Sequence, residues 1–268
     1  MDKVNISKRM KQVASKVTPG FSIADIGCDH AYVSIYLVKK NISKKIVAMD
    51  INEGPVKRAK ENIALYNCEN YIDVRLSDGA KMLSPYEVDA LLIAGMGGRL
   101  TVKILRDSLL TVLSCKELIL QPQSDIKNVR NYLRHIGFEI TGEEMIIDGN
   151  KYYNIIKAKN CYDINAAEER IKTIGEFYDY ADNCIRTENE KEEETLVYDM
   201  FGKILLLNKD EILYKFLSHE LFSKTQVIKQ IDEEMLSNTD RLEILKERKK
   251  DINQWIYYIR KGLEFYEE

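Results

Sequence analysis

Between residues 21 and 158 short apolar runs alternate with helical stretches, and that alternation leaves few folds open. Strands are expected at Phe21–Ile26, Lys45–Ile51, Ile72–Leu76, Ala90–Ala94, Glu117–Gln121, Glu144–Ile147 and Tyr152–Lys157. The first, second, fourth and fifth are nearly continuous apolar runs, as parallel strands covered on both faces require. Helical stretches at 31–40, 55–67, 99–113 and 125–136 join them, which implies right-handed crossovers and a doubly wound sheet. Only Asp148-Gly149-Asn150 separates the last two strands, and that is hairpin chemistry. The sequence thus predicts helix-linked parallel strands closed by an antiparallel hairpin.

From about residue 162 the strand signals vanish. Ile164, Ala167, Ile171, Ile174, Tyr178, Ala181 and Ile185 recur at spacings of three and four. Leu217, Leu221, Ile228, Ile231 and Met235 form a second stripe. Leu242, Leu245, Ile252, Ile256, Ile259 and Leu263 form a third, broken by Lys249. Ser237-Asn238-Thr239-Asp240 is rich in N-cap residues and should separate two helices of an antiparallel, coiled-coil-like hairpin. The run Lys191-Glu192-Glu193-Glu194 reads as a solvated helix face or connector. The expected domains are 1–160, an α/β unit, and 161–268, an all-α unit.

Composition supports this division. Hydrophobic residues make up 45%, enough for a sizeable core. The net charge of −3 hides +6 over residues 1–160 and −9 over 161–268. A mildly basic first half is compatible with a polyanionic partner. Five cysteines at 28, 68, 115, 161 and 184 form no Cys-x-x-Cys pair, so reduced thiols are expected and no metal site. No apolar run approaches the roughly 20 residues of a membrane span, and the N-terminus lacks a secretory signal. The expectation is a cytoplasmic protein without a membrane partner.

Acidic residues stand at the ends of three successive strands. Phe21–Gly27 carries a strand into a small turn, where Gly27 permits close backbone approach and Asp25 can face a cationic group or accept turn amides. A Gly-x-Gly-x-x-Gly fingerprint is absent, so there is no pyrophosphate cradle. Asp50 ends the second strand, 25 residues after Asp25, placed to accept both hydroxyls of a ribose. Ser77-Asp78-Gly79 ends the third, where Asp78 can accept from an adenine amino group and Gly79 lets the chain turn. Taken singly, each acid could be only an N-cap or a turn residue. Together they converge on the switch-point crevice of an open α/β sheet.

The fourth strand runs into Ala94-Gly95-Met96-Gly97-Gly98, a backbone-rich loop suited to close approach by a planar base. No Asn/Asp-Pro-Pro-aromatic motif or Pro-Cys pair occurs. Ser7-Lys8-Arg9, Ala24–Tyr32 (ADIGCDHAY), Ile93–Gly98 (IAGMGG) and Leu118–Pro122 (LILQP) resemble the bacterial TrmK family of tRNA (adenine-22-N1)-methyltransferases, which act in the D-arm. The resemblance spans the first half by motif and the second by architecture. Gln123 departs from it, where Asn is more usual.

The resemblance implies an α/β fold with a class I, Rossmann-like methyltransferase sheet and a C-terminal all-α, coiled-coil-like domain. It implies S-adenosyl-L-methionine as cofactor, held by Asp25, Gly27, Asp50, Ile51, Asp78, Gly79, Ala94, Gly95 and Met96. It implies tRNA as partner, met by Arg9, Tyr32, Gly97, Gln121 and Pro122. Asp29 is the expected catalytic carboxylate, with an N-cap of the helix starting near His30 as its other, compatible role. His30 either orients Asp29 or the base or is an ordinary helix-start residue; Tyr32 and Met96 either touch the base or pack in the core. Arg9 holds a phosphate, covers the site, or is simply solvated. Lys246–Lys250 is a candidate local RNA contact. Oligomeric state is open, with a monomer preferred. Alternatives are methylation of another RNA site, a small-molecule methyltransferase, a non-catalytic RNA-binding scaffold and a dehydrogenase.

Overall fold

The computed structural model describes residues 4–172, 174, 193–237 and 241–267. The chain divides into two compact units, residues 1–190 and 191–268. Cys184, the later part of the 164–185 stripe, Lys191 and Glu192, and Asn238-Thr239-Asp240 lie outside the described residues.

The first unit is built on a seven-stranded sheet. In chain order its elements are α1 (Lys8–Ser15), β1 (Ile23–Ile26), α2 (Tyr32–Lys39), β2 (Ile46–Asp50), α3 (Glu53–Leu65), β3 (Ile72–Leu76), β4 (Ala90–Met96), α4 (Gly98–Asp107), α5 (Leu109–Leu113), β5 (Glu117–Pro122), α6 (Ile126–His135), β6 (Phe138–Asp148) and β7 (Lys151–Asn160). The strand order is β3-β2-β1-β4-β5-β7-β6. Strands β1 to β5 pair in parallel, and β7 pairs antiparallel with both β5 and β6. The expected sheet, its parallel core and its closing hairpin are all present.

Strand periodicity of two sorts the apolar runs into two cores. Ile23, Ala48, Leu92 and Ile119 face α1, α2 and α3, packing on Val13, Ile35, Ala59 and Ile63. Ala24, Ile26, Met49, Ile93 and Leu120 face the other way, onto Leu105, Val112, Val129 and Leu133 of α4, α5 and α6. This is why the inner strands read as continuous apolar runs. Asp25 is the exception. Its register partners Ala48 and Leu92 place it on the α1–α3 side, inside that core.

Three differences from the sequence reading have local causes. The stretch 99–113 is two helices, because Ser108 leaves the helical region at φ −127° and ψ 36°. Strand β4 runs on to Met96 through a bulge, with Gly95 at φ +81° absorbing the extra residue. The hairpin strands are 11 and 10 residues long. Polar Glu139, Thr141 and Glu143 and a bulge between Ile140 and Gly142 conceal the start of β6. The segment after β7 packs into the first unit: Ala167 is buried in its core, and Arg170 donates to the Ile136 carbonyl at 2.7 Å.

The second unit, among the described residues, is helical throughout. Two short helices, Glu193–Phe201 and Lys203–Leu207, precede two long ones, Glu211–Ser237 and Leu242–Glu264. Glu193 and Glu194 therefore open a helix. The long pair is antiparallel: a side chain on Gly262 would meet Leu217 at 3.2 Å, while Lys249 pairs with Asp232. Leu217, Ile231, Leu245, Ile256 and Ile259 are buried between them and their neighbours, as the stripes imply. Lys249 interrupts its stripe by reaching a carboxylate on the facing helix. No helix among the described residues is long and apolar enough to cross a membrane.

Candidate active site

Strand β1 delivers Asp25 to the carboxyl edge of the sheet, where the strand order reverses between β2-β1 and β4. The Asp25 carboxylate is 3% exposed and accepts the Ser34 hydroxyl at 2.6 Å. Burial pushes its pKa up to about 6; the Ser34 hydrogen bond opposes this and the nearby Asp50 charge adds to it. A carboxylate held so high is one that its own protein does not compensate.

The turn after β1 is tight and strained. The N–H groups of Gly27 and Cys28 both donate to the Met49 carbonyl, at 2.8 and 2.9 Å. Gly27 has φ +75°, and a Cβ there would lie 2.1 Å from the Met96 methyl, so the Met96 side chain lies across the turn. Asp29 and Ala31 also take left-handed φ values, +50° and +58°. Helix α2 begins at Tyr32 with Ala31 as its N-cap and no side chain capping it. The N-cap role weighed for Asp29 is thus not used. Its carboxylate is 67% exposed and stands 3.5 Å from His30 Nε2. His30 in turn lies 6.0 Å, centroid to centroid, from the Tyr32 ring.

The Asp50 carboxylate ties this turn to the second strand. One oxygen accepts the Asp29 N–H at 3.2 Å and the other the Asn52 N–H at 3.0 Å. Burial, followed by the charges of Asp25, Asp50 and Asp29, pushes the Cys28 thiol pKa far up, so Cys28 is not a nucleophile at neutral pH.

Helix α1 forms the opposite wall. Ser7 caps it, accepting the Met10 N–H at 3.2 Å. Arg9 donates to Gln121 Oε1 at 2.9 Å and lies 4.6 Å over the Tyr153 ring, so its guanidinium is fixed between β5 and β7. The loops after β4 and β5 are fastened together: Gln123 N–H donates to the Met96 carbonyl at 2.8 Å, and Gly98 N–H to the Ser124 carbonyl at 3.0 Å. A Cβ on Gly98 would fall 2.3 Å from that Ser124 oxygen, so only glycine fits.

These elements enclose a cavity of about 450 Å³. Of the residues expected at the site, Arg9, Asp25, Gly27, Asp29, His30, Tyr32, Ala94 and Gly95 line it together. Asp50, Ile51, Asp78, Gly79, Met96, Gly97, Gln121 and Pro122 lie outside its lining. Ile51 is exposed beyond β2. Asp78 is turned outward to Lys81 at 2.5 Å, and that ammonium lowers its pKa. Gly79 makes its turn at φ +62°. Gln121 is fully buried with its carboxamide oxygen taken by Arg9. The cavity also takes in Ile6, Met10, Val33 and Gln123. Met10 of α1 was unmarked in the sequence, unlike Arg9 one residue earlier, because nothing there says which helix face closes a cleft.

The donor set fits an S-adenosylmethionine cofactor. A buried, uncompensated carboxylate faces the cavity beside Gly27, which lines it too. A second carboxylate stands at the tip of β2, where a ribose would lie.

A mixed sheet of this order with a crevice at its switch point defines a class I methyltransferase. The chain belongs to the Methyltransferase domain family, which matches residues 6–156. More narrowly, the tRNA (adenine(22)-N(1))-methyltransferase of Bacillus subtilis (strain 168) is 29% identical over 256 residues, spanning 92% of this chain and 98% of that protein. The crystal structure of the B. subtilis m1A22 tRNA methyltransferase TrmK superposes with a TM-score of 0.76 at 25% identity, covering 97% of this chain and 100% of that one. M. capricolum TrmK, solved in complex with S-adenosyl-homocysteine, superposes with a TM-score of 0.73 at 25% identity, covering 97% and 98%. The resemblance carried by residues 24–32 and 93–98 is borne out along the chain.

Proposed function

We propose that this chain is an S-adenosylmethionine-dependent methyltransferase that modifies N1 of adenine 22 in the D-arm of tRNA. The observation that carries the reading is the buried Asp25 carboxylate, which opens with Gly27 onto a cavity whose far side presents exposed polar groups. Its relatedness to the B. subtilis tRNA (adenine(22)-N(1))-methyltransferase supports the same acceptor, and its likeness to M. capricolum TrmK, solved with S-adenosyl-homocysteine, supports the same cofactor.

The cofactor, when bound, supplies an electrophilic methyl group on a sulfonium centre. Asp25 would hold the cationic amino-acid end, Gly27 would let it lie against the backbone once the Met96 methyl moves aside, and Asp50 would accept from the ribose. Asp78 reaches the adenine only by giving up Lys81. Adenine N1 carries an in-plane lone pair and needs no prior deprotonation. Methylation leaves positive charge shared with the exocyclic amine, and Asp29, exposed at the cavity rim and spared from capping, stabilises it. His30 orients Asp29. Arg9, braced by Gln121 and Tyr153, meets a phosphate, and Tyr32 meets the base as it unstacks from the RNA. Alignment of nitrogen, methyl and sulfur supplies much of the acceleration. A monomer is the preferred state, working in the cytoplasm where tRNA is found.

Transfer of labelled methyl from the cofactor to an unmodified tRNA transcript tests this. Label is expected with adenine at position 22 and not with guanine there. Equal labelling of both would overturn the assignment.

A further inference from the structure

Gln121 and Gln123 flank Pro122 at the end of β5, two residues apart, yet they meet different fates. Gln121 is fully buried and spent on Arg9. Gln123 is exposed, lines the same cavity as Asp29 and His30, and has no carboxamide partner among the described residues. Its backbone is pinned by the 2.8 Å bond to the Met96 carbonyl, and its Nε2 stands 3.8 Å from where a Cβ on Gly95 would be. Gly95 has none, so the surface beside the amide is bare backbone on which a planar base can lie.

From this we infer that Gln123 reads the Hoogsteen edge of the target adenine, its carboxamide spanning N6 and N7. The inference rests on the proposed adenine-N1 reaction. That reaction requires N1 to stay unengaged and to face the methyl donor, which leaves the N6–H and N7 pair as the edge available for recognition. A carboxamide matches that pair with one acceptor and one donor. Guanine presents acceptors at both O6 and N7 and places a like dipole against Oε1. The exocyclic amine has two hydrogens: Gln123 takes the one beside N7, and Asp29 the one beside N1. Because positive charge moves onto that amine as the N1–C bond forms, the N6–H···Oε1 bond strengthens in the transition state, so Gln123 acts on kcat more than on binding.

The test pairs protein variants with transcripts carrying adenine, 7-deazaadenine or purine at position 22. On the unaltered enzyme 7-deazaadenine, which keeps N6–H and loses only the N7 acceptor, should cost about tenfold in kcat/KM, and purine, which keeps N7 but loses the amine and with it the contacts to both Gln123 Oε1 and Asp29, should cost more. Gln123→Leu should lose about ten- to a hundredfold on adenine and show no further loss on 7-deazaadenine. Gln123→Glu should reverse the preference, because a carboxylate still accepts from N6–H but is repelled by N7. Melting temperature and cofactor affinity of both variants, read by calorimetry, should match the parent and so exclude a folding defect. An unaltered enzyme indifferent to 7-deazaadenine, or a Leu variant that loses the same additional factor on it, would overturn the inference while the methyltransferase reading stood. Failure of the unaltered enzyme to methylate adenine at all would bring down both.

Discussion

Replacing Asp25 with asparagine keeps the shape of the side chain and its hydrogen bond from Ser34, and removes one buried charge. In the folded protein the Asp25 pKa stands at about 6 against an ordinary 3.8. Folding therefore favours the protonated form. The stability this group contributes is whole below pH ~3.8 and is lost as pH rises through about 6. Two pKa units correspond to about 3 kcal/mol. The Asp25→Asn variant should accordingly be more stable than the parent by about 3 kcal/mol at pH 7.5, with the difference falling toward zero near pH 4. Urea unfolding followed by circular dichroism at several pH values reads the difference directly. Calorimetry should show the opposite for function: the parent binds S-adenosylmethionine more tightly as pH rises through about 6, while the variant binds weakly throughout. A variant no more stable at pH 7.5, or one whose advantage is independent of pH, would refute the claim that Asp25 is an uncompensated charge awaiting a cation.

Further outcomes follow from other contacts. Gly27→Ala places a Cβ at φ +75° and 2.1 Å from the Met96 methyl, so cofactor affinity measured by calorimetry should fall about tenfold or more, while Gly20→Ala, strained in the same way at φ +89° but outside the cavity lining, should lower stability and leave affinity unchanged. Asp29→Ala should retain cofactor binding by calorimetry yet lose methylation; full activity would remove Asp29 from the chemistry. Glu143→Ala leaves Arg130, 3% exposed at the side chain, without its 2.7 Å partner and should cost about 3–5 kcal/mol in urea unfolding.

The sheet was legible because its interior is chemically simple. Ile23–Ile26 and Leu91–Ile93 must be covered on both faces, and a three-residue Asp-Gly-Asn link permits little besides a hairpin. The outer hairpin was legible only near its tip. Glu143 looks like a solvent-facing residue until Arg130, from a helix thirteen residues earlier, is seen to neutralise it inside the protein. The acidic strand ends were found by spacing, but spacing does not say where a carboxylate turns, and Asp78 turns to Lys81. The motif around β5 drew attention to Gln121, whose amide is consumed, rather than Gln123, whose amide is open; alternation places both on one face without revealing where burial ends. The strained turn was similarly opaque, since an alanine gives no hint that it takes φ +58°.

Nucleoside mass spectrometry of an unmodified tRNA transcript, incubated with the purified chain and S-adenosylmethionine and mapped by nuclease fragments, tests the central claim most directly. The account predicts one 1-methyladenosine per transcript, in the fragment carrying position 22, formed by the parent and not by Asp29→Ala. A transcript without 1-methyladenosine, or one bearing it in another fragment, would contradict it.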